Sequence, residues 1–335
     1  MRLAAALALC LAAGWSGPGL AADGDRPATA GTGDAAAPDK TGDAGATAET
    51  GRVDLLRFGQ KTPDPAFGAF QRGLYITAYN LALPRAREGD APAQALVAEI
   101  LSRGLGVARD PVEAANWYGK AAEAGIPEAQ FQYALVLLDG KYAAANPERA
   151  FRLMKAAADA GSRLAQFNFA QLLTDRRSGG AGLDEAVAYY EKAAEAGLAD
   201  AQYAMAQVLA NGVGGRAVDV AGAMRWLTLA ARQNYDTAQL DLGTWLVDGR
   251  GGTRDYEAGF GWIKRAAEGG NVAARNRLAK LYVHALGTEP DPILAAAWYI
   301  SARRAGLRDF EMDDFLQGLT PEEQKQAIER ANRLR

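Results

Sequence analysis

Residues 110–130, DPVEAANWYGKAAEAGIPEAQ, contain the pattern that decides the fold of this chain. They read as a helix start at Asp110, an amphipathic helix that carries Trp117, a glycine stop at Gly125 and the opening of a second helix. The same stop recurs along the chain at intervals of 36, 36, 36, 37, 36 and 36 residues. A fixed period of this length indicates a stack of structural repeats. The stop residues are Gly89, Gly125, Gly161, Gly197, Asn234, Gly270 and Gly306.

A residue suited to begin a helix lies fifteen positions before each stop from Gly125 onward. Asp and Asn side chains accept hydrogen bonds from the free N–H groups of a first helical turn. A helix that ends in the left-handed conformation favours Gly there and Asn next, so Asn234 is the substitution that backbone sterics allow. The predicted helix starts are Asp110, Asn146, Gly182, Asp219, Asp255 and Asp291.

Large side chains recur seven positions after each start, and small ones lie four positions after it. Large against small at helical spacing predicts helices that interlock closely, with Trp226 and Trp262 in the interior. Each unit is then a helical hairpin too small to bury its own apolar face, so neighbouring units must stack into a right-handed solenoid. The large residues are Trp117, Leu153, Tyr189, Trp226, Trp262 and Trp298.

The repeat resembles the Sel-1-like repeat family of secreted bacterial proteins, relatives of the tetratricopeptide repeats with a longer unit. The motif AEILSRGLGVARDPVEAANWYGKAAEAG (98–125) and its copies carry the resemblance over roughly 74–308. The third copy departs from it, because its turn TDRRSGGAGLDE (174–185) lacks the usual glycine–valine pattern. We therefore expect an all-α fold, an α-solenoid of about six 36-residue hairpins over residues 89–308.

The first residues, MRLAAALALCLAAGWSGPGLA, have the form of a secretory signal that is cleaved after Ala21. Their apolar run is shorter than the roughly 20 residues that span a bilayer. A lipoprotein signal at Cys10 and an unprocessed amino-terminal helix remain alternatives. Cleavage would remove Cys10, the one cysteine, so neither disulfides nor thiol chemistry would be available. We expect a periplasmic or secreted protein.

Three further segments flank the repeats. Residues 22–52 are rich in Ala, Gly, Thr, Asp and Pro and are predicted to form a disordered linker. Residues 53–88 are predicted to cap the first hairpin with a helix that Pro84 kinks or interrupts. Residues 309–335 are predicted to cap the last hairpin, first with an amphipathic piece containing Phe310 and Met312, then with a helix begun by a capping box at Thr320.

Catalytic and metal-binding patterns are absent from the sequence. His284 is the one histidine, and it is predicted to lie on the surface at a helix end. No serine lies in a nucleophile motif, and no loop has the ligand spacing of a metal site. We therefore predict no enzyme activity, no cofactor and no metal. The formal net charge of -3 gives no reason to expect nucleic acid or an anionic membrane as a partner.

The sequence indicates a binding surface more strongly than a catalytic or metal site. The resemblance implies that the first helix of each hairpin lines the concave face of the solenoid. Positions six, ten and fourteen after each stop share one helix face. The central copies place there an aromatic and apolar row, an amide row and an acidic row, a strip suited to an extended, somewhat basic peptide or helix. The predicted ligand contacts are Phe131, Phe167, Tyr203, Leu240, Gln171, Gln207, Asp139, Asp175 and Asp248.

Two interpretations of the aromatic row remain open, because these rings could equally fill the seam between neighbouring hairpins. For function we predict a monomeric, non-enzymatic scaffold or regulatory adaptor in the bacterial cell envelope, as the resemblance implies. The alternatives are an envelope enzyme acting on peptidoglycan or a related substrate, and a self-assembling structural element.

Overall fold

The computed structural model describes residues 64–176 and 181–334. The predicted signal peptide, the linker, the first eleven residues of the amino-terminal cap and residues 177–180 of the third turn lie outside this part. Within the described part, every regular element is an α-helix. In chain order the helices are α1 (Pro65–Gln71), α2 (Tyr75–Arg87), α3 (Ala91–Arg103), α4 (Pro111–Glu123), α5 (Pro127–Asp139), α6 (Pro147–Asp159), α7 (Arg163–Arg176), α8 (Ala181–Glu195), α9 (Ala199–Asn211), α10 (Val220–Arg232), α11 (Asp236–Asp248), α12 (Tyr256–Glu268), α13 (Val272–Val283), α14 (Pro292–Arg304), α15 (Phe310–Gln317) and α16 (Pro321–Ala331).

The helices form six antiparallel pairs. We call the first helix of each pair an A helix (α3, α5, α7, α9, α11 and α13) and the second a B helix (α4, α6, α8, α10, α12 and α14). Each A helix packs against the B helix that follows it, and each B helix packs against the next A helix. The all-α helical repeat predicted from the 36-residue period is confirmed.

The predicted helix starts are N-caps at five of six positions. Asp110 shows the geometry: its Oδ1 accepts hydrogen bonds from the backbone N–H of Val112 at 3.1 Å and of Glu113 at 2.9 Å. Asn146, Asp219, Asp255 and Asp291 also accept a backbone N–H with their side chains. Gly182 is the exception, because α8 begins at Ala181 and Gly182 lies within the helix. Glycine has no side chain that could cap a first turn.

The predicted stops are confirmed at all seven positions, with φ between 63° and 101°. At Gly125, the residue's own N–H donates to the carbonyl of Ala122, and the next N–H donates to the carbonyl of Ala121, both at 3.1 Å. These two bonds close the helix by satisfying carbonyls that lack a partner within it. Asn234 adopts the same left-handed conformation, at φ 63°, without being glycine.

The core position of the B helices lies one residue later than predicted. The side chains eight positions after each start are buried, and five of the six are 0% exposed. Trp226 and Trp262, which were predicted to be interior, are only partly buried, and that prediction is wrong. The buried set is Tyr118, Met154, Tyr190, Leu227, Ile263 and Tyr299.

Seven positions after each start, Trp117, Tyr189 and Trp298 are buried, whereas Leu153, Trp226 and Trp262 are only partly buried, so this position lies beside the most deeply buried one. The ring of Trp262 has the guanidinium of Arg265 4.8 Å from its centroid, and Trp117 has Lys120 at 4.2 Å. A cation three residues along the helix can reach the ring because one edge of it faces solvent. The indole N–H of Trp117, which is 7% exposed, also donates to Glu113 at 3.2 Å.

The two caps differ in detail from the sequence prediction. The amino-terminal cap is interrupted at Gly73, between α1 and α2, and α2 continues through Pro84 to Arg87. Pro84 lies in the last turn, where a missing N–H removes one hydrogen bond without ending the helix. At the other end, Met312 is 0% exposed as expected, whereas Phe310 is 90% exposed and covers nothing. The capping box of Thr320 with Glu323 is confirmed.

A row of glutamine side chains joins consecutive pairs and was not predicted. In each of the first five A helices, the residue five positions after the stop donates its side-chain amide to the carbonyl of the last residue but one of the preceding helix. These bonds are Gln94–Ala86 (3.1 Å), Gln130–Ala122 (3.3 Å), Gln166–Ala158 (3.2 Å), Gln202–Ala194 (3.3 Å) and Gln239–Ala231 (3.0 Å). In the sixth A helix Arg275 Nε takes the same role, with Ala267, at 3.3 Å.

Candidate functional site: the surface of the A helices

Consecutive A helices lie side by side in the carboxy-terminal half, where side chains bond directly across them. Tyr203 on α9 donates its hydroxyl to Asp241 on α11 at 2.9 Å. Arg277 on α13 in turn forms an ion pair with Asp248 on α11, at 2.9 Å. The A helices therefore form a continuous layer over this part of the stack, and their outward side chains share one surface.

The centre of that surface is set by positions three, seven, ten and fourteen after each stop. With 100° of rotation per residue, these four positions fall within about 60° of one another, whereas position six is turned further aside. In α5, α7 and α11, all side chains at the four positions are partly or fully exposed. We call these four positions on the A helices the A strip.

The predicted aromatic row lies at the margin of the A strip, at position six. Phe131 and Tyr203 are each 7% exposed, and Phe167 and Leu240 are partly buried. The ring of Phe167 lies 5.6 Å from that of Tyr190 on the B helix of its own pair. Phe131 and Tyr203 are therefore packed inside the protein, as the second interpretation of the aromatic row has it, and are not exposed ligand contacts.

The predicted amide and acidic rows belong to the A strip. Gln171 and Gln207 are partly buried, and Gln207 donates to Asp241 at 3.3 Å. Asp139, Asp175 and Asp248 are exposed. Asp248 is engaged by Arg277, whereas Asp139 and Asp175 form no ion pair with any described residue. Two of the three acids are therefore free to meet a partner.

Asp241, which the sequence reasoning did not select, is the most constrained acid of the A strip. Burial raises the pKa of its carboxyl, although hydrogen bonds from Tyr203 and Gln207 and the charge of Arg250 act in the opposite direction. Nearby, burial together with the charges of Asp200, Asp236 and Asp241 raises the pKa of Tyr235 to about 12. Several carboxylates thus lie close together where α9 meets α11, and the charge of Arg250 only partly offsets their negative charge.

Asp241→Asn is expected to raise the free energy of unfolding at pH 7 by roughly 0.5–2 kcal/mol, because the amide keeps an acceptor for Tyr203 without a buried charge. The folded-state pKa lies above the unfolded value of 3.8, so the ionisation penalty is absent below that value and grows as the pH rises through the raised pKa. Urea unfolding at pH 7 and pH 3.5 should show the gain at the higher pH alone.

The control for this change is Asp248→Asn, at an exposed carboxyl paired with Arg277, which should alter stability by less than about 1 kcal/mol. An Asp241→Asn variant less stable than the parent at pH 7 would mean that the two hydrogen bonds outweigh the burial of the charge.

The carboxy-terminal end of the A strip is closed by the chain itself. Lys280 forms ion pairs with Asp309 at 2.8 Å and with Glu311 at 2.7 Å. His284, exposed at the end of α13 as predicted, lies 3.0 Å from Glu311. Hydrogen bonds from Lys280 and His284 hold the pKa of Glu311 below its ordinary value of 4.5. Lys280 and His284 are thus paired within the chain, with α15 and the residue before it.

The central A helices have the opposite character. In α5, α7, α9 and α11, the four positions of the A strip contain six acidic residues and no lysine or arginine. Polar neutral side chains such as Gln132, Asn168 and Gln207 lie between them. The acids are Glu128, Asp139, Asp175, Asp200, Asp241 and Asp248.

The sequence contained evidence that position seven of the A helices faces outward. Gln132, Asn168, Asp241 and Arg277 all lie there, so a polar residue recurs where a buried seam would need an apolar one. Because the rings at position six are large, the sequence analysis placed position six, and not position seven, on the ligand-binding face.

Comparison with known proteins places this geometry in a family. The Sel1 repeat model matches residues 91–126, 127–162, 180–198, 199–235, 237–271 and 272–307, more than half of the chain. The chain belongs to the Sel1 repeat family. Proteins built from Sel1 repeats are generally helical scaffolds for protein–protein interaction. The shortened third match, 180–198, coincides with the copy whose turn departs from the motif.

Solved structures of other Sel1 repeat proteins share the fold. A Sel1 repeat protein from Oxalobacter formigenes is 29% identical, with a TM-score of 0.59 over 73% of this chain and 70% of that one. The protein c5321, a protective antigen of uropathogenic Escherichia coli with the same fold, is 26% identical, with a TM-score of 0.56 over 78% of this chain and 64% of that one.

One characterised relative is similar over a shorter stretch. Chitin synthase regulatory factor 3 of Schizosaccharomyces pombe is 32% identical over 83 residues, which are 24% of this chain and 9% of that protein. The chain therefore matches only a small part of that relative's length.

The described residues contain no cluster of histidine, cysteine or carboxylate side chains arranged to hold a metal ion. In the same part of the chain, no helix is both long and apolar enough to cross a membrane. Through its exposed acids and amides, the A strip can accept hydrogen bonds and attract cationic groups.

Proposed function

We propose that this Sel1 repeat protein is a non-enzymatic adaptor of the bacterial cell envelope that binds an extended, basic segment of a partner protein along the A strip. The A strip of α5, α7, α9 and α11, whose four positions contain six acids and no lysine or arginine, is the observation that carries the proposal. Complementary charge draws such a segment to the surface and discriminates against acidic partners.

The spacing of the A helices suits an extended chain. Consecutive A helices are bridged by long side chains such as Tyr203 and lie about 10 Å apart, and an extended segment advances about 3.3 Å per residue. A segment that crosses the four acidic helices would therefore present a side chain to each helix about every third residue. Amides such as Gln171 and Asn168 can bond its backbone, and the acids can receive its cationic side chains.

A regulatory role is favoured over catalysis. Sel1 repeat proteins generally act by holding other proteins, and chitin synthase regulatory factor 3, which is similar over 83 residues, is named as a regulatory factor. The envelope location rests on the signal-like residues 1–21. If it is right, amino-terminal sequencing of the protein from a periplasmic fraction should read from Ala22, and recovery of the uncleaved chain from the cytoplasm would contradict it.

The binding proposal predicts a definite sequence preference. A random library of 12-residue peptides, selected on the purified protein, should be enriched in Lys and Arg at intervals of about three residues. The double variant Asp139→Asn/Asp175→Asn should bind a selected peptide about tenfold more weakly at low ionic strength, with a shallower dependence on salt. Fluorescence anisotropy with labelled peptide measures both quantities.

The matched control neutralises two acids on B helices, Glu195→Gln and Glu257→Gln, both exposed. It makes the same change in net charge and should leave the affinity within about twofold, because screened distant charges contribute little. Equal weakening by both variants would show that overall charge attracts the peptide. A selection that enriches no basic peptide would remove the proposal.

A further inference from the structure

The outer face of α2, at the amino-terminal end of the stack, is unusual for an exposed surface. From Gly73 to Pro84 the chain contains no charged residue. On this face, Leu74 is 49% exposed and Leu81 42%. The B helices α4, α6, α8, α10 and α12 all carry exposed charged residues within the same span. The first and last elements of a helical repeat stack need a polar outer face, and α2 lacks one.

At the opposite end of the molecule, an uncharged helix face is covered by another helix. Helix α14 is also uncharged, from Pro292 to Ala302, and it packs against α16, which the carboxy-terminal segment supplies. Ile293 of α14 lines a shallow cavity together with Gln326 and Arg330 of α16 and is only partly exposed. An uncharged terminal helix in this protein is therefore covered by the chain's own flanking segment.

The flanking segment at the amino-terminal end has the matching composition. Residues 53–58, VDLLRF, contain Val53, Leu55, Leu56 and Phe58, and the thirty residues before them have almost no large apolar side chain. An isolated apolar run next to an apolar helical face is the pattern expected of two surfaces that cover each other.

The first described residue lies at one end of the exposed face of α2, so the residues just before it begin close to that face. Asp64 lies beside the carboxy-terminal end of α2, since its Oδ1 is 2.9 Å from Nη1 of Arg85. Leu81 is one helical turn from Arg85, and Leu74 is about two turns further. The six residues 58–63 span up to about 20 Å when extended, roughly the length of the 13-residue α2. Residues 53–58 can therefore reach the whole face.

We propose that residues 53–58 of this chain cover the outer face of α2 formed by Leu74, Leu81 and Pro84, and complete the amino-terminal end as α16 completes the carboxy-terminal end. This surface is separate from the A strip and does not depend on the proposed function.

A disulfide trap in the full chain tests the proposal. In a Cys10→Ser background, Leu56→Cys combined with Leu81→Cys should give, on mild oxidation, at least fivefold more disulfide within one chain than Leu56→Cys combined with Leu229→Cys. Leu229 is the matched control because it is a leucine of the same exposure, 42%, on the distant helix α10. Non-reducing electrophoresis and intact mass separate bonds within a chain from bonds between chains.

A second measurement uses hydrogen exchange of the α2 amides. Leu55→Asp/Leu56→Asp should accelerate their exchange at least tenfold, whereas Thr47→Asp/Thr50→Asp in the preceding linker should leave it unchanged. Both pairs lie outside the described helices, so far-UV circular dichroism should stay constant. Disulfides mainly between chains would assign the face to a second copy and overturn the proposal. So would trapping no greater than in the Leu229 control, or unchanged exchange in the Leu55→Asp/Leu56→Asp variant.

Discussion

Leu227→Ala is expected to lower the free energy of unfolding by about 3 kcal/mol. Leu227 is 0% exposed and lies where α10 packs against α9 and α11. Its truncation removes buried apolar surface and leaves a cavity, a change that costs about 2–5 kcal/mol in well-packed cores. Because each pair is held by its neighbours alone, the loss should weaken the stack on both sides of α10.

The matched control is Leu229→Ala, two residues later on the same helix. Leu229 is 42% exposed, so the same substitution with the same change in helix propensity should lower stability by less than about 1 kcal/mol. Urea unfolding followed by circular dichroism measures both variants. Similar losses in the two would mean that the buried face of α10 has been assigned wrongly.

The second large effect is expected from Gln239→Glu, which should lower the free energy of unfolding by roughly 2–4 kcal/mol at pH 7. The Gln239 side chain is 3% exposed, and its Nε2 donates to the carbonyl of Ala231 at 3.0 Å. A carboxylate has no proton to donate and would bring a buried negative charge against that carbonyl.

The loss of stability caused by Gln239→Glu should be larger at high pH than at low pH. Burial would raise the folded-state pKa of the new carboxyl above its unfolded value of about 4.3. Below the unfolded value the group is protonated in both states and can donate to Ala231, so the stability difference from the parent should shrink. As the pH rises through the raised pKa, the difference should grow to its full size.

Gln132→Glu provides the control for the charge itself. Gln132 lies on the A strip of α5 and is partly exposed, so the new carboxylate would remain hydrated. We expect a change of less than about 1 kcal/mol at either pH. A Gln239→Glu penalty that is the same at pH 4 and pH 7 would show that packing, and not ionisation, accounts for the loss.

The periodic features of this protein were predictable from sequence because they depend on local backbone chemistry. Asp110 and Asp291 begin helices because a carboxylate satisfies first-turn N–H groups, and Gly125 ends one because its conformation is left-handed. Asn234 was identified by the same reasoning. These effects act within a few residues, so a single sequence contains the information.

The helix faces were harder to assign because they depend on neighbouring helices. Trp226 was assigned to the interior on account of its size, yet the smaller Leu227 occupies the centre of the contact. The same one-residue shift affected the A helices, where the bulk of Phe131 and Tyr203 concealed the polar row at position seven. Side-chain volume alone does not distinguish the centre of a buried stripe from its margin.

The glutamine row was missed for a different reason. The sequence analysis made no prediction for recurring glutamines such as Gln202 and Gln239, whose amides satisfy a carbonyl at the end of the preceding helix. The bond becomes evident only when the end of one pair is placed against the beginning of the next.

The seams between pairs also bear on how such proteins change length over evolution. Each seam combines a left-handed stop with a side-chain bond to the same backbone carbonyl, so nearly identical joints recur along the chain. Duplication or deletion of one 36-residue unit would rejoin the chain at a joint of the same kind. The number of partner residues contacted could then grow or shrink by about three per unit, while the helices on either side kept their packing.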